Sequence, residues 1–389
     1  MEDNNLQEQS IKSSAQEFEA QVSKNFNELR SRWGLQANDA AALALKMATC
    51  TARPPVDIPF LLRALDEYKL HGSPNQLATL LRQTFSSADT LAATFYDARL
   101  GAQDPTKLCV NFADLQRVYS FLMNASADWQ AMLLVLCRDV VRNLSGGSGL
   151  SKQRVVCILL ANPILEDPMA HELLSLLADK VGTGWSDADQ EALVRCLQEF
   201  SPELMQQAVG CLQNFITIHT YDITGVDAAT AHVTQLLSLL HRANEATGLI
   251  PYTEFYNGVV NQEDFDVKKD YLMWRRGLGF SFCGRYSFLY SPAAKAQLLR
   301  LENRGQQMNE FQGALYQTIV NGAGSLPFLY LRVRRGQMLV NDTMLQLQNA
   351  ASRGTLKFPL RVKFADEDGV DEGGIAKVCH RLDNKELLA

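Results

Sequence analysis

The sequence predicts a mainly α protein, a multi-helix region followed by a smaller α+β close. Three observations predict this. Between about residues 40 and 245, apolar side chains recur every three or four positions, the period that puts them on one face of a helix. Helix start signals punctuate that stretch. After about residue 247 the chain turns to aromatics and turn formers, and near its end two short apolar runs flank one more helical pattern.

Residues 11–33 carry Phe18, Val22, Phe26, Leu29 and Trp33, an amphipathic helix expected to pack on its own helical neighbour. "DIPFLLRALDEYKL" (57–70) opens with Asp57 as a cap and Pro59 in the first turn. "SDADQEALVRCLQEF" (186–200) has Ser186 and Asp189 at capping-box spacing. "SPELMQQAVGCLQNF" (201–215) gives Ser as cap, Pro at the first helical position and Glu where the helix dipole favours it. "DWQAMLLVLCRDVVRNL" (128–144) is apolar on nearly every side and is expected to be a central, buried helix. No fixed-period repeat decides between a bundle and a solenoid.

Further along, "FSFCGRYSFLYSP" (280–292) alternates like an extended segment before Ser291-Pro292 starts a helix. "FLYLRVRR" (328–335), "NDTMLQLQNAAS" (341–352) and "FPLRVKF" (358–364) then read as strand, helix, strand. These transitions divide the chain into an amphipathic helix at 1–37, a helical partner-binding region at 38–246, a helical approach at 247–326 and an α+β segment at 327–389.

Of the 389 residues, 47% are hydrophobic and 21% charged, and the formal net charge is −6. That is ordinary globular composition, and its mild acidity argues against phosphate-backbone binding as the main activity. The longest apolar runs, such as "AMLLVLC" (131–137), are too short to cross a bilayer. The N-terminus "MEDNNLQEQS" fits neither a secretory signal nor a transit peptide, so a cytoplasmic or nuclear location is expected.

Several patterns that could carry chemistry fail on context. The eight cysteines include no C-x-x-C pair, and they read as small buried hydrophobes in a reducing compartment. Glycine-rich "NLSGGSGLSKQR" (143–154) lacks phosphate-loop spacing and follows a helix, so it reads as a flexible connection. His71, His171, His219, His232 and His241 never pair at i, i+4 and read as surface or satisfied core residues. "DEDGVDEGG" (366–374) is rich in carboxylates, but counted from Asp366 its fifth and sixth positions are Val370 and Asp371, which breaks the calcium-loop pattern. No metal and no cofactor are implied.

The same stretch fits a different pattern. "LRVRRGQMLVNDTMLQLQ…LKFPLRVKFADEDGVDEGGIAK" (331–377) closely resembles the start of the HECT domain of ubiquitin-protein ligases. The positions that meet it are Val333, Arg334, Arg335, Asp342, Leu345, Leu360, Val362, Phe364, Glu367, Gly369, Asp371, Gly373, Gly374 and Lys377. The upstream "IPYTEFYN", "FSFC" and "SPAAK" resemble the approach to that domain in ligases related to the E6-associated protein. The resemblance implies a tight turn after the last strand, with Gly373-Gly374 allowing close backbone approach and the acids acting as structural turn and cap residues.

It also implies a function: ubiquitin passes from a conjugating enzyme to a ligase cysteine as a thioester, then to a substrate lysine. The partners implied are ubiquitin, its conjugating enzyme and protein substrates held by the helical region, with no nucleic acid and no membrane. After Lys377 the family pattern stops and "VCHRLDNKELLA" follows, so the domain reads as truncated early. The hypothesis is that residues 378–389 are translated intron after Lys377, or a premature end, and a genomic sequence without a splice junction there would exclude it. The family's catalytic cysteine, in a Thr-Cys-Phe context, has no counterpart. Cys50 follows a Thr but lacks the Phe, and Cys379 beside His380 is no prepared pair. The chain alone is therefore expected to be inactive in transfer. The alternative is a non-catalytic helical binding module that competes with a full ligase.

Overall fold

In a computed structural model, the described residues are 55–72, 74–104, 106–144, 150–220, 226–321 and 328–365. They fall into two compact units that divide between Val259 and Val260.

The first unit is helical among its described residues. Its helices are α1 (Ile58–His71), α2 (Pro74–Thr84), α3 (Ala88–Thr94), α4 (Ala98–Gln103), α5 (Phe112–Ala125) and α6 (Ala127–Arg142). They continue with α7 (Ser151–Leu160), α8 (His171–Gly184), α9 (Asp187–Leu197), α10 (Pro202–His219) and α11 (Ala228–Thr247). Two short 3₁₀ turns, Pro163–Glu166 and Pro168–Ala170, join α7 to α8. α11 packs against α8, α9 and α10, and α7 against α3 and α9.

The local start signals act as the sequence indicates. Ser186 accepts the Asp189 N–H, and the Asp189 carboxylate accepts the Ser186 N–H, a complete capping box. Ser201 accepts the Leu204 N–H, with Pro202 opening α10. Asp57 is different. It occupies the cap position of α1, but its side chain accepts no capping hydrogen bond.

The expectation of a central buried helix at 128–144 is corrected. α6 buries Trp129, Leu133, Leu134, Cys137, Val140 and Val141, while Ala131, Val135 and Asp139 face outward, Val135 at 52% exposure. Those three positions are four residues apart and form one solvent stripe, so α6 is amphipathic. The enclosed helix is α7, where every residue from Val155 to Leu160 is buried and the Tyr119 hydroxyl donates to the Ile158 carbonyl at 3.0 Å.

The second unit holds α12 (Val267–Arg276), α13 (Pro292–Asn321), β1 (Leu329–Val333), α14 (Leu339–Ser352) and β2 (Leu360–Phe364). The extended segment expected before Ser291 is corrected as well. Residues 280–290 form turns and a 3₁₀ turn, Ser287–Leu289. The reason is Asp270 on α12. Its fully buried carboxylate accepts the N–H groups of Phe282 and Cys283 at 3.1 and 2.9 Å and the Tyr290 hydroxyl, which bends the chain around one acceptor. The predicted helix start at Ser291-Pro292 is observed.

β1 and β2 pair in parallel, with Leu329 opposite Leu360 and Val333 opposite Phe364, and α14 is the crossover between them. This is the strand–helix–strand order predicted for 328–364. Its core is Leu329, Leu331, Val333, Leu339, Ala350, Val362 and Phe364, with Leu347, Phe358 and Leu360 packed at the margin.

Candidate functional site

The strand–helix–strand unit carries the described part of the family pattern. On β1, residues alternate buried and exposed, so Leu329, Leu331 and Val333 enter the core while Tyr330 and Arg332 face out. The chain then leaves the strand through Arg334 and Arg335 and turns at Gly336–Met338 into α14.

Two clamps hold α14 against β1. Arg334 gives its backbone N–H to the Asp342 carboxylate at 3.0 Å, while its Nε and Nη2 donate at 2.9 and 2.8 Å, a bidentate pair plus one main-chain contact. These bonds from Arg334, side chain first and backbone second, hold the Asp342 carboxyl down at about 2. One turn along, the Gln346 amide pairs with the Arg332 backbone: its Oε1 accepts the N–H at 2.9 Å and its Nε2 donates to the carbonyl at 2.7 Å. The outer edge of β1 is thereby partly satisfied by a side chain that mimics a strand.

Arg335 lies over the Phe364 ring at 4.0 Å, which ties the end of β1 to the end of β2. Arg334, Arg335, Asp342 and Phe364 thus gather at one end of the parallel pair. Leu345 does not join them and is 62% exposed. Glu367, Gly369, Asp371, Gly373, Gly374 and Lys377 lie outside the described residues. Sequence reasoning missed Gln346; its signal was the four-residue step from Asp342, which places both on one helix face.

The described thiols are the other chemistry to weigh. Cys109, Cys137, Cys157, Cys196, Cys211 and Cys283 are all free and buried. Burial pushes Cys137, Cys196 and Cys211 up to about 12 and Cys283 up to about 11, and raises Cys109 and Cys157 too. An acyl-transfer nucleophile needs the opposite, an accessible thiolate beside a cation or helix N-terminus. Cys50 and Cys379 lie outside the described residues. Among the described residues, no cluster of three or more His, Cys, Asp or Glu side chains could hold a metal ion, and no helix is long and apolar enough to cross a membrane.

Comparison with known proteins bears on this arrangement. The probable E3 ubiquitin-protein ligase HECTD2 of Homo sapiens is 28% identical over 312 residues, which cover 76% of this chain and 39% of that protein. The chain is similar to probable E3 ubiquitin-protein ligases. The probable E3 ubiquitin-protein ligase HERC4 of Rattus norvegicus is 32% identical over 180 residues, 40% of this chain and 16% of that ligase. The probable E3 ubiquitin-protein ligase mug30 of Schizosaccharomyces pombe is 29% identical over 142 residues, 36% of this chain and 17% of its own length. The chain therefore spans about two fifths of the length of HECTD2 and less of the other two ligases. No protein-family model matches the sequence. The similarity to these ligases supports the HECT-type resemblance read from residues 331–377.

Proposed function

We propose that this chain supplies the substrate-selecting helices and the opening strand–helix–strand of a HECT-type ubiquitin ligase of the subgroup related to the E6-associated protein. The observation that carries the reading is the βαβ unit at Leu329–Phe364, whose Arg334–Asp342 clamp and Arg335–Phe364 stack use residues of the resembled pattern.

In such a ligase, a thiolate attacks the carbonyl of the thioester between ubiquitin and the conjugating enzyme and releases that enzyme's thiolate. A substrate lysine amine then attacks the new thioester, forms an amide and releases the ligase thiol. Splitting one acyl transfer into two thiol-assisted steps lowers each barrier. The six described thiols are too buried for that role, which supports assigning binding and positioning to the described residues and the nucleophile to another segment of the ligase. The same burial favours the second reading, a helical binding module that engages the ligase's substrates without transferring ubiquitin.

The test compares the chain with the cellular protein that carries it, captured by an antibody to the helical region. Each is mixed with activating enzyme, a panel of conjugating enzymes and ubiquitin, then run without reductant. The expected result is a thiol-labile ubiquitin adduct on a captured protein longer than this chain, and none at any of the six described cysteines. An adduct at one of those six would overturn the assignment of roles. A captured protein without any adduct would leave the binding-module reading.

A further inference from the structure

We propose that the outward face of the β1–β2 pair is a docking surface for an extended acidic protein segment with carboxylates at alternate positions. This surface lies within the second unit and is independent of the ubiquitin-transfer reading.

Strand register places the side chains. Tyr330 stands opposite Arg361, and Arg332 opposite Lys363. Leu329, Leu331, Val333, Val362 and Phe364 turn into the core with Leu339 and Ala350 of α14. Successive strand residues point to opposite faces, so Tyr330, Arg332, Arg361 and Lys363 share the other face. Arg332 and Lys363 are exposed, and Tyr330 is 58% exposed. Arg361 is half-buried over the Phe328 ring at 4.2 Å. That ring meets Tyr330 at 6.0 Å and Phe311 of α13 at 6.1 Å. One margin of the basic face is therefore aromatic and braced by α13.

This placement is unfavourable for the fold alone. Neighbouring strands lie about 4.8 Å apart, so Arg332 and Lys363 are like charges side by side, which destabilises a strand pair. Elsewhere the second unit pairs its cations, Arg275 with Glu302 and Arg334 with Asp342. Arg332, Arg361 and Lys363 pair with no carboxylate among the described residues. The four outward residues are also absent from the HECT pattern, whose positions on these strands, Val333, Leu360, Val362 and Phe364, belong to the core or its margin.

Carboxylates from a partner would offset that repulsion. Residues on one face of a strand repeat every second position, about 6.6 Å, and an extended peptide has the same repeat. A segment laid along the strands with acids at alternate positions therefore sets one carboxylate at Arg332 and Lys363 and the next at Arg361. Its end meets the Phe328–Tyr330 margin, which suits an aromatic side chain. A long polyanion is disfavoured by the chain's net charge of −6.

The test uses the whole chain and a fluorescein-labelled peptide with glutamate at alternate positions and one terminal phenylalanine, read by anisotropy. The expected result is saturable binding that weakens as salt rises. Lys363→Glu should reduce affinity about tenfold and yet raise the urea midpoint of the second unit without peptide, because the opposed like charges become an ion pair. Arg195→Glu, an equal change of net charge at an exposed position in the first unit, should leave affinity unchanged. Absence of saturable binding overturns the proposal, as does an equal loss in both variants or a lower midpoint for Lys363→Glu. Equal affinity for a peptide with contiguous glutamates, or for a single-stranded oligonucleotide, overturns it too, because the face would then be a general anion surface. Asp366, Glu367 and Asp368 follow β2 in the sequence. Binding that emerges only when those three are changed to Asn, Gln and Asn would assign the face to the chain's own acids and overturn the partner.

Discussion

Arg334 and Asp342 form a pair whose strength comes from shape as much as charge. A planar guanidinium meets both carboxylate oxygens while its own backbone N–H adds a third donor. Because Asp342 is held at about 2, below its ordinary value of 3.8, the pair's contribution is fully present above about pH 4. It is lost as the pH falls through about 2. Hydrogen exchange at the Arg334 amide should therefore stay slow down to about pH 4 and then accelerate beyond the intrinsic trend, and Asp342→Asn should remove that step. An unchanged profile in the variant would show that the clamp contributes nothing to local stability. Asp270 is the buried counterpart. Asp270→Ala strands two N–H groups and the Tyr290 hydroxyl in a dry interior and should cost about 3 kcal/mol. The urea midpoint of the second unit's transition measures that loss. Asp270→Asn, which keeps an acceptor, should fall between the variant and the parent.

Helices α6 and α7 show what periodicity can and cannot resolve. Both are rich in Leu, Val and Cys, and α6 is the longer and more conspicuous in sequence. Yet α6 turns Val135 to solvent, while α7 is enclosed by α3 and α9 and by the Tyr119 hydroxyl. Ile158→Ala on α7 should therefore lower stability by about 2–5 kcal/mol, whereas Val135→Ser on α6 should change it by no more than about 0.5 kcal/mol. Chemical denaturation of the two variants side by side checks the assignment, and equal losses would refute it. Helix starts were more legible than helix faces. The Ser186–Asp189 box and the Ser201-Pro202 start are local arrangements of neighbouring atoms, so sequence spacing nearly dictates them. Asp57 had the same signal, but its side chain accepts no capping bond: Pro59 in the first turn has no N–H to donate, and the Phe60 N–H donates to the Asp57 carbonyl instead.

Across the molecule, the thiols provide one global probe. Six cysteines distributed over α6, α7, α9, α10 and two loops are buried, and desolvation raises all of their pKa values. At mildly alkaline pH they should resist alkylation in the native protein; the five in the first unit should react together once denaturant unfolds that unit, and Cys283 should follow the second unit's transition. Mass spectrometry of iodoacetamide-treated protein, with and without urea, reads this directly. Fast native labelling at Cys137 or Cys157 would contradict the enclosed core. The ligase similarity spreads over 76% of the chain in the HECTD2 comparison, so it extends well beyond the strand–helix–strand unit that suggested it.

Legible in the residues alone are the mainly α character, the helix starts at Ser186, Ser201 and Ser291, the strand–helix–strand order near the end, and the residues that resemble a HECT domain. Each of these is a local property: side-chain spacing fixes which residues share a face, and short-range hydrogen bonds fix where a helix begins. Which faces are buried and which distant groups meet is set by the packing of the folded chain. It placed the Gln346 amide on the Arg332 backbone, brought the His171 and His219 rings within 3.2 Å across 48 residues, and folded 277–284 under Trp274 instead of extending it. The reason is that such contacts depend on the packing of several elements at once. A buried acceptor such as Asp270 recruits donors twelve and thirteen residues away, because leaving any of them unpaired in a dry core costs more than bending the chain.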